Sequence, residues 1–151
     1  MRTPFRLLMA TVLATILTAT TAHADEKSLY DRLGGIYPIA TVVDEFIDRL
    51  LANDTLNSNP AINKARKRVP PAGLKYRVTA FVAQATGGPQ DYTGRSMVEA
   101  HDHLNIDERE WRAMVADLRA VLYKHNVPEA EQDELLNLLG GLKESVVTAN
   151  Q

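Results

Sequence analysis

Two histidines, His101 and His103, stand one residue apart in the segment GRSMVEAHDHLN of a chain that contains no cysteine. Imidazole is the commonest side-chain ligand of metal ions. A His-x-His pair binds a metal from a strand, where alternate residues share a face, but on a helix ligands are useful three or four residues apart. Ser96 and Glu99 have the spacing of a capping box, which opens a helix. Only one of the two histidines can then face the interior, which argues against a two-histidine metal site.

The helical pattern selects His101 as the inward-facing histidine. At about 100° per residue, Met97, His101 and Leu104 share one apolar stripe, and His103 lies outside it. One interpretation is a core histidine that is hydrogen-bonded to a carbonyl group. The other is the axial ligand of a haem, which requires one buried imidazole in an apolar slot between helices. The residues of this segment alone leave both interpretations open.

The start of the chain has the features of a secretory signal peptide. Arg2 and Arg6 precede an apolar run from Leu7 to Leu17, and Ala22-His23-Ala24 supplies the small-x-small pattern that signal peptidases recognise. That run is shorter than the roughly 20 apolar residues that cross a bilayer. We therefore predict a signal peptide at residues 1–24 and export, to the periplasm. Attachment to a membrane is expected only if the signal stays uncleaved.

The predicted mature segment, residues 25–151, has the size of a single domain. Removing Arg2 and Arg6 lowers the basic residues from 17 to 15 against 19 acidic residues, and the net charge moves from −2 to −4. This negative balance argues against nucleic acid as a partner. Because the chain has no cysteine, no disulfide contributes, and the hydrophobic core alone must stabilise the fold.

The mature segment alternates amphipathic helical patterns with glycine or proline punctuation and shows no convincing strand. Ser28 opens a short first helix that ends at Gly34-Gly35, and Pro38 opens a long second helix with one apolar stripe. The polar, basic segment from Asn57 to Pro71 is predicted to be a loop. Further helices are predicted from Pro71, after the capping boxes Ser96/Glu99 and Asp107/Glu110, and from Pro128. The predicted fold is a small all-α domain.

Several segments together resemble a known family. The chain contains, in order, SLYDRLGG, VVDEFIDRLL, ATGGPQDYTGRSMVEAHDHLNI, a helix with Trp111, and the turn HNVPEAE. This order is similar to that of group I truncated haemoglobins, the short globins with a two-over-two helical sandwich, over about residues 28 to 146. The most specific part is GGP-x-x-YTGR-x-M-x-x-x-H. The resemblance implies a truncated globin domain over residues 25–151 that holds haem b and binds a diatomic gas.

The resemblance also implies which residues hold the cofactor. The histidine after Met-x-x-x is the proximal iron ligand in that family, and this is His101, the residue that the helical stripe also selects. Arg95 and Arg77 are implied to contact the haem propionates, with an exposed surface arginine as the alternative for Arg77. The other implied haem contacts are apolar or lie at the haem edge: Phe46, Ile47, Leu74, Val78, Phe81, Tyr92, Thr93, Met97 and Leu104.

The distal side of the implied pocket departs from the family pattern. Ile47 follows Phe46 where many members have a tyrosine, and Leu74 and Val78 stand where glutamine or histidine is common. Oxygen then loses about 1.5–3 kcal/mol of charge-assisted hydrogen bonding. We therefore expect low oxygen affinity and rapid autoxidation, with a smaller effect on carbon monoxide and nitric oxide.

Two further differences lie in the segment after the second helix. Asn59-Pro60 occupies the place of a phenylalanine that wedges the haem in the family, and the basic run from Lys64 to Arg68 has no clear equivalent. We interpret this run as a solvated loop, with a partner or the haem propionates as alternative contacts. Lys75, Tyr76 or a lysine of the basic run is the alternative source of a sixth iron ligand.

Two hypotheses on function follow. The first is an exported globin that binds or transports oxygen, or binds another diatomic gas, at iron held by His101. The second is a haem-based redox, sensor or interaction module on a globin scaffold without stable oxygen binding, which the missing phenylalanine favours and for which a redox partner is expected. Nitric oxide dioxygenase and peroxidase-like activities belong to the first hypothesis, although the polar distal residues that support them are absent. The chain shows no cysteine nucleophile, Gly-x-Ser-x-Gly turn or phosphate-binding glycine loop.

Overall fold

The computed structural model describes residues 27–149, and the predicted signal peptide lies outside these residues. Within the described part the chain forms nine α-helices and one 3-10 helix, and the only β pairing there is a single parallel bridge between Ile106 and Val147. The predicted all-α fold is confirmed. In chain order the elements are α1 (Leu29–Arg32), α2 (Ile36–Ala52), α3 (Asp54–Asn57), α4 (Pro60–Arg66), α5 (Pro71–Ala85), α6 (Met97–His101), η1 (Asp102–Leu104), α7 (Glu108–Lys124), α8 (Glu129–Gly140) and α9 (Lys143–Val146).

The first two helices meet at a glycine turn. The Ser28 hydroxyl accepts a hydrogen bond from the Asp31 amide at 3.1 Å and caps α1. Gly34 and Gly35 follow with φ of 88° and 83°, in the left-handed region that favours glycine, and they end α1. Helix α2 begins at Ile36, ahead of the predicted start at Pro38. Pro38 is tolerated there because the first amides of a helix have no intrahelical partner.

The prediction of a loop from Asn57 to Pro71 is wrong for most of that segment, which contains α4 and the end of α3. Asn53 caps α3 and Asn59 caps α4, each through side-chain oxygens that accept two backbone amides. Pro60 occupies the start of α4, a position that proline favours. The capping signals were present in the sequence. The helices were missed because they are too short to show an apolar period.

The hydrophobic core consists of two clusters of buried side chains. In the first, Ile39, Val43 and Ile47 of α2 are buried against side chains of α5. In the second, Ile106 and Trp111, at the start of α7, pack against Val146 of α9. Helix α2 lies between α5 and α7 and packs against both. None of the helices in residues 27–149 is both long and apolar enough to span a bilayer.

Candidate functional site

A cavity of about 1290 Å³ lies between the helices of the described chain. Its walls come mainly from apolar side chains of α2, α5, α6, α7 and α8. Pockets for ordinary small molecules are roughly 300–1,000 Å³, so this cavity has room for a larger ligand. The apolar lining suits a ligand whose main body is also apolar, because burial of apolar surface is the favourable term in such binding.

His101 is the last residue of α6 and lines this cavity. Its Nδ1 lies 2.8 Å from the carbonyl oxygen of Met97, one turn earlier. A carbonyl oxygen can only accept, so Nδ1 carries the proton and donates, and the lone pair on Nε2 remains for a metal. Met97 and Leu104 are half-buried and line the same cavity, although Leu104 lies on η1 and not on the α-helix that carries Met97 and His101.

The environment of His101 keeps its imidazole neutral. Burial lowers the pKa of His101 below the ordinary imidazole value, the hydrogen bond to Met97 opposes this shift, and the charges of His103 and Arg95 add to it. A histidine with a lowered pKa is uncharged at pH 7, and only the uncharged ring can ligate a metal. The structure thus holds the His101 imidazole in the neutral form that can ligate a metal ion.

His103 lies on η1 and also lines the cavity, contrary to the expectation that only one of the two histidines faces the interior, but its ring has a different environment. Its Nδ1 is 3.1 Å from a carboxylate oxygen of Asp102, and its side chain is 39% exposed. The chain changes from α-helix to 3-10 helix between the two histidines, so their side chains are not related by a regular helical spacing. In residues 27–149 no group of three or more histidine, aspartate or glutamate side chains could hold a metal ion.

The side of the cavity formed by α2 and α5 is apolar where the family pattern has hydrogen-bond donors. Phe46 and Ile47 of α2 and Leu74, Val78 and Phe81 of α5 all line the cavity. Ile47 is only 2% exposed and belongs to the buried α2 cluster. None of these five side chains can donate a hydrogen bond. A gas molecule beside them would find contacts but no donor among these residues.

The residues predicted to lie at the haem edge are found in the second half of the loop between α5 and α6 and on the exposed side of α5. Tyr92 packs edge-on against Phe81, with ring centroids 5.3 Å apart, and its hydroxyl donates to the Arg95 carbonyl at 3.0 Å. Thr93, Arg95 and Arg77 are exposed, and all three line the cavity. Two guanidinium groups thus lie where the apolar cavity meets solvent.

The side chains considered as a sixth iron ligand lie elsewhere. The Lys75 ammonium is 2.8 Å from a carboxylate oxygen of Asp44 and 2.8 Å from one of Asp48, both on α2. These two hydrogen bonds raise the pKa of Lys75 above its ordinary value. Tyr76 is 76% exposed. Neither residue is among those that line the cavity, and neither are Lys64 and Lys67.

Comparison with known proteins identifies the fold. The sequence profile described as "Bacterial-like globin" matches residues 28–148. The chain belongs to the bacterial-like globin family. It is similar to the group 1 truncated hemoglobin GlbN of Synechocystis sp., with 33% identity over 108 residues that cover 68% of this chain and 82% of the relative. It is also similar to the GlbN of Mycolicibacterium paratuberculosis, with 29% identity over 125 residues, or 83% of this chain and 88% of the relative.

The solved structures that resemble this globin have the two-over-two fold. The 2/2 hemoglobin from Synechococcus sp. in the cyanomet state, with covalently attached heme, superposes with a TM-score of 0.69 at 26% identity over 83% of this chain and 100% of that one. Truncated hemoglobin from Tetrahymena pyriformis in the Fe(III) form gives a TM-score of 0.70 at 23% identity, covering 80% and 98% of the two chains. This globin is therefore a group I truncated haemoglobin, and it binds haem and a diatomic gas.

The cavity of this globin fits haem in its shape and chemistry. It combines a large apolar interior, one neutral imidazole with an available Nε2, and arginines at the solvent boundary. The absence of cysteine means that haem is held without thioether bonds. Every residue predicted to contact haem lines this cavity. Their individual roles as haem contacts, including iron ligation by His101, stay predictions.

Sequence reasoning missed the role of Asn59, which was noted only as the place of a missing phenylalanine. Asn59 is 7% exposed. Its side-chain oxygen accepts the amides of Ala61 and Ile62 at 2.8 and 3.2 Å. Its side-chain nitrogen donates to the Leu104 carbonyl at 3.0 Å and to Glu110 Oε2 at 3.2 Å. We call these contacts the Asn59 network, and they join the start of α4 to η1 and α7.

His125 follows the end of α7, where a basic side chain interacts favourably with the helix dipole. The structure adds a partner, because His125 Nε2 lies 3.0 Å from Glu45 Oε2 on α2. Lys124 Nζ contacts the same carboxylate at 2.9 Å. The hydrogen bond from Lys124 makes the largest contribution, and with that of His125 it lowers the pKa of Glu45 below its ordinary value. Glu45, Lys124 and His125 thus join α2 to the end of α7.

Proposed function

We propose that this globin is exported, ligates haem iron through His101, and binds its gas in a distal pocket that offers no hydrogen-bond donor. The observation that carries the proposal is His101, which lines the apolar cavity with Nδ1 held by the Met97 carbonyl at 2.8 Å. A ring oriented in this way presents Nε2 as a ligand, and the hydrogen bond from Nδ1 to the Met97 carbonyl fixes its tautomer. Export is supported by the signal-like features of residues 1–24.

The residues of the chain divide the work of binding. Haem, when bound, supplies an iron atom with a coordination position for a diatomic gas. His101 Nε2 would hold that iron, with Met97 and Leu104 in the same part of the cavity wall. Phe46 and Leu74 would exclude water and contact the gas without donating a hydrogen bond to it. The chain thus selects for gases that bind without a distal hydrogen bond, namely carbon monoxide and nitric oxide over oxygen.

A single new donor in the distal wall is expected to raise oxygen affinity. Leu74 is half-buried, lines the cavity and packs against the α2 cluster, and glutamine is close to leucine in size. In Leu74→Gln the amide can donate to oxygen, and we expect about tenfold tighter oxygen binding, with a change of less than about threefold for carbon monoxide. Equilibrium titration of the haem-loaded full chain with each gas measures both affinities.

Leu74→Met is the matched control, because it preserves volume without adding a donor. It should leave the ratio of the oxygen and carbon monoxide affinities within about twofold of wild type. An oxygen affinity of the wild-type chain that is already high, or that Leu74→Gln fails to increase, would contradict a donor-free distal pocket. Failure of the wild-type chain to take up haem at all would overturn the proposal as a whole.

Export is expected to remove the first 24 residues. The full chain expressed in a Gram-negative bacterium should appear in the periplasmic fraction with Asp25 as its first residue, as read by intact mass and amino-terminal sequencing. Signal peptidases require a small residue directly before the cut, so Ala24→Leu should reduce processing by about tenfold or more and leave the protein in the membrane fraction. Recovery of the unprocessed wild-type chain from the cytoplasm would contradict export.

A further inference from the structure

A second concavity, of about 390 Å³, opens beside the main cavity. It is lined by Ala65, Arg68, Val69, Arg95 and His103. All of these except Arg68 also line the main cavity, so the two spaces are adjacent and share a wall. One side of the concavity comes from the end of α4 and the segment that follows it, and the other comes from the residues on either side of α6.

The concavity brings together two guanidinium groups that have no carboxylate partner among the described residues. Arg95 donates through Nη1 to the Glu99 carbonyl at 3.4 Å, which leaves its other donors for a ligand. No ion pair of Arg68 occurs within residues 27–149. His103 differs from both, because its ring already contacts the Asp102 carboxylate at 3.1 Å.

The nearest acidic side chain on α6 is also engaged. The Glu99 carboxylate accepts the Ser96 amide at 2.9 Å and the Ser96 hydroxyl at 2.7 Å, in the capping box of α6. The Ser96 hydrogen bonds first, and the Arg95 charge to a smaller degree, lower the pKa of Glu99 below its ordinary value. This carboxylate is therefore committed to the helix start, and it forms no ion pair within 4 Å with either arginine. The two guanidinium groups are the cations left for an anion that enters the concavity.

We propose that Arg68 and Arg95 together bind the propionate carboxylates of haem and thereby set which edge of the porphyrin faces solvent. This inference rests on the haem binding described above. Haem is an apolar macrocycle with two carboxylates on one edge. The apolar cavity stabilises the macrocycle, but a carboxylate that leaves water needs a cation or hydrogen-bond donors. Guanidinium is the side chain best suited to a carboxylate, because it donates two parallel hydrogen bonds.

Arg68 is the new element of this arrangement. The family resemblance implies Arg77 and Arg95 as propionate contacts, whereas Arg68 lies in the basic segment that has no clear family equivalent. Its neighbours Lys64 and Lys67 are equally basic but line neither the cavity nor the concavity. Arg66, the other arginine of this segment, lines the main cavity but not the concavity, and its guanidinium group donates to Asn57 Oδ1. Arg68 is therefore the arginine of the basic segment that the geometry places beside Arg95 and assigns to the cofactor.

The test compares haem with haem dimethyl ester, whose propionates carry no charge. The haem-loaded full chain is mixed with excess apomyoglobin, and the rate of haem loss is followed optically for the wild type, Arg68→Gln and the neighbouring control Lys67→Gln. We expect Arg68→Gln to lose haem about three- to tenfold faster than wild type, a range that allows for solvent exposure. Lys67→Gln should stay within about twofold. With the dimethyl ester, all three proteins should lose the cofactor at equal rates.

The alternative outcomes each have a distinct meaning. Equal acceleration of haem and dimethyl ester loss in Arg68→Gln would show that Arg68 acts through packing, and the inference would be wrong. An Arg68→Gln rate equal to that of wild type or of Lys67→Gln would also overturn it. If circular dichroism shows that Arg68→Gln does not fold, Arg68→Met, which keeps a long side chain without its charge, provides the same comparison. A wild-type chain that takes up neither cofactor would overturn haem binding itself and this inference with it.

Discussion

Replacement of His101 by alanine is expected to abolish tight haem binding, whereas replacement of His103 by alanine leaves it in place. Three histidines, His101, His103 and His125, line the cavity, and of these His101 has a ring nitrogen held by a backbone carbonyl whereas the other two contact carboxylates. Loss of an outer partner of a metal ligand alone typically costs roughly 10–100-fold in metal affinity, so loss of the ligand itself should cost more than about 100-fold. Optical titration of the full chain with haem measures this affinity through the Soret band.

His103→Ala is the matched control for this experiment, because it removes an imidazole two residues away that is paired with Asp102 and 39% exposed. The expected result is a normal Soret band in His103→Ala and a collapsed band, or one of weakly ligated haem, in His101→Ala. Added imidazole should restore part of the band in His101→Ala, because it supplies the missing ligand. A band that neither substitution changes would show that the axial assignment is wrong.

Replacement of Asn59 by alanine is expected to lower the free energy of unfolding by about 2–4 kcal/mol. The loss of the α4 cap contributes about 1 kcal/mol. The Leu104 carbonyl loses the Asn59 donor, and a buried group left without a partner costs about 1–3 kcal/mol. The Glu110 carboxylate, in a residue that is 3% exposed, loses the same donor but keeps the Asp107 amide. Urea denaturation of the haem-free chain measures the change, with the slope of the transition unchanged.

Two further variants separate the parts of the Asn59 effect. Asn59→Asp keeps a capping oxygen, and aspartate caps a helix as well as asparagine does, but it cannot donate to Leu104 and adds a carboxylate beside Glu110. It should therefore be nearly as destabilising as Asn59→Ala. Ser58→Ala, at the exposed preceding residue, should change the stability by less than about 0.5 kcal/mol. Wild-type stability in Asn59→Asp would contradict the importance of the two donated hydrogen bonds.

The Asn59 network also bears on the choice between the two functional hypotheses. The missing phenylalanine at this place favours a scaffold without stable oxygen binding. In the structure, Asn59 connects α4 to Leu104 on η1, the element that directly follows His101. This segment is therefore tied to the proximal side by hydrogen bonds in place of an aromatic contact. The presence of Asn59 in place of a phenylalanine changes how α4 is held in the fold, and it does not by itself remove the haem site.

Most of the regular structure follows from local signals in the sequence. The apolar period of α2 and the capping boxes before α6 and α7 predict these helices, and both boxes form as expected. Helices α3 and α4 escape the same analysis, because four and seven residues are too few for a period to appear. Their asparagine caps are the signal that remains, and such caps are equally common in turns.

By itself, the sequence determined the all-α class and the positions of the long helices, because helix period and capping are properties of neighbouring residues. Only the tertiary structure decided what distant residues do together. In the folded chain Asn59 is hydrogen-bonded to Glu110, Lys75 forms ion pairs with Asp44 and Asp48, and Arg68 lies beside Arg95. Contacts between residues so far apart in the chain depend on how whole helices pack, and no local pattern records that packing.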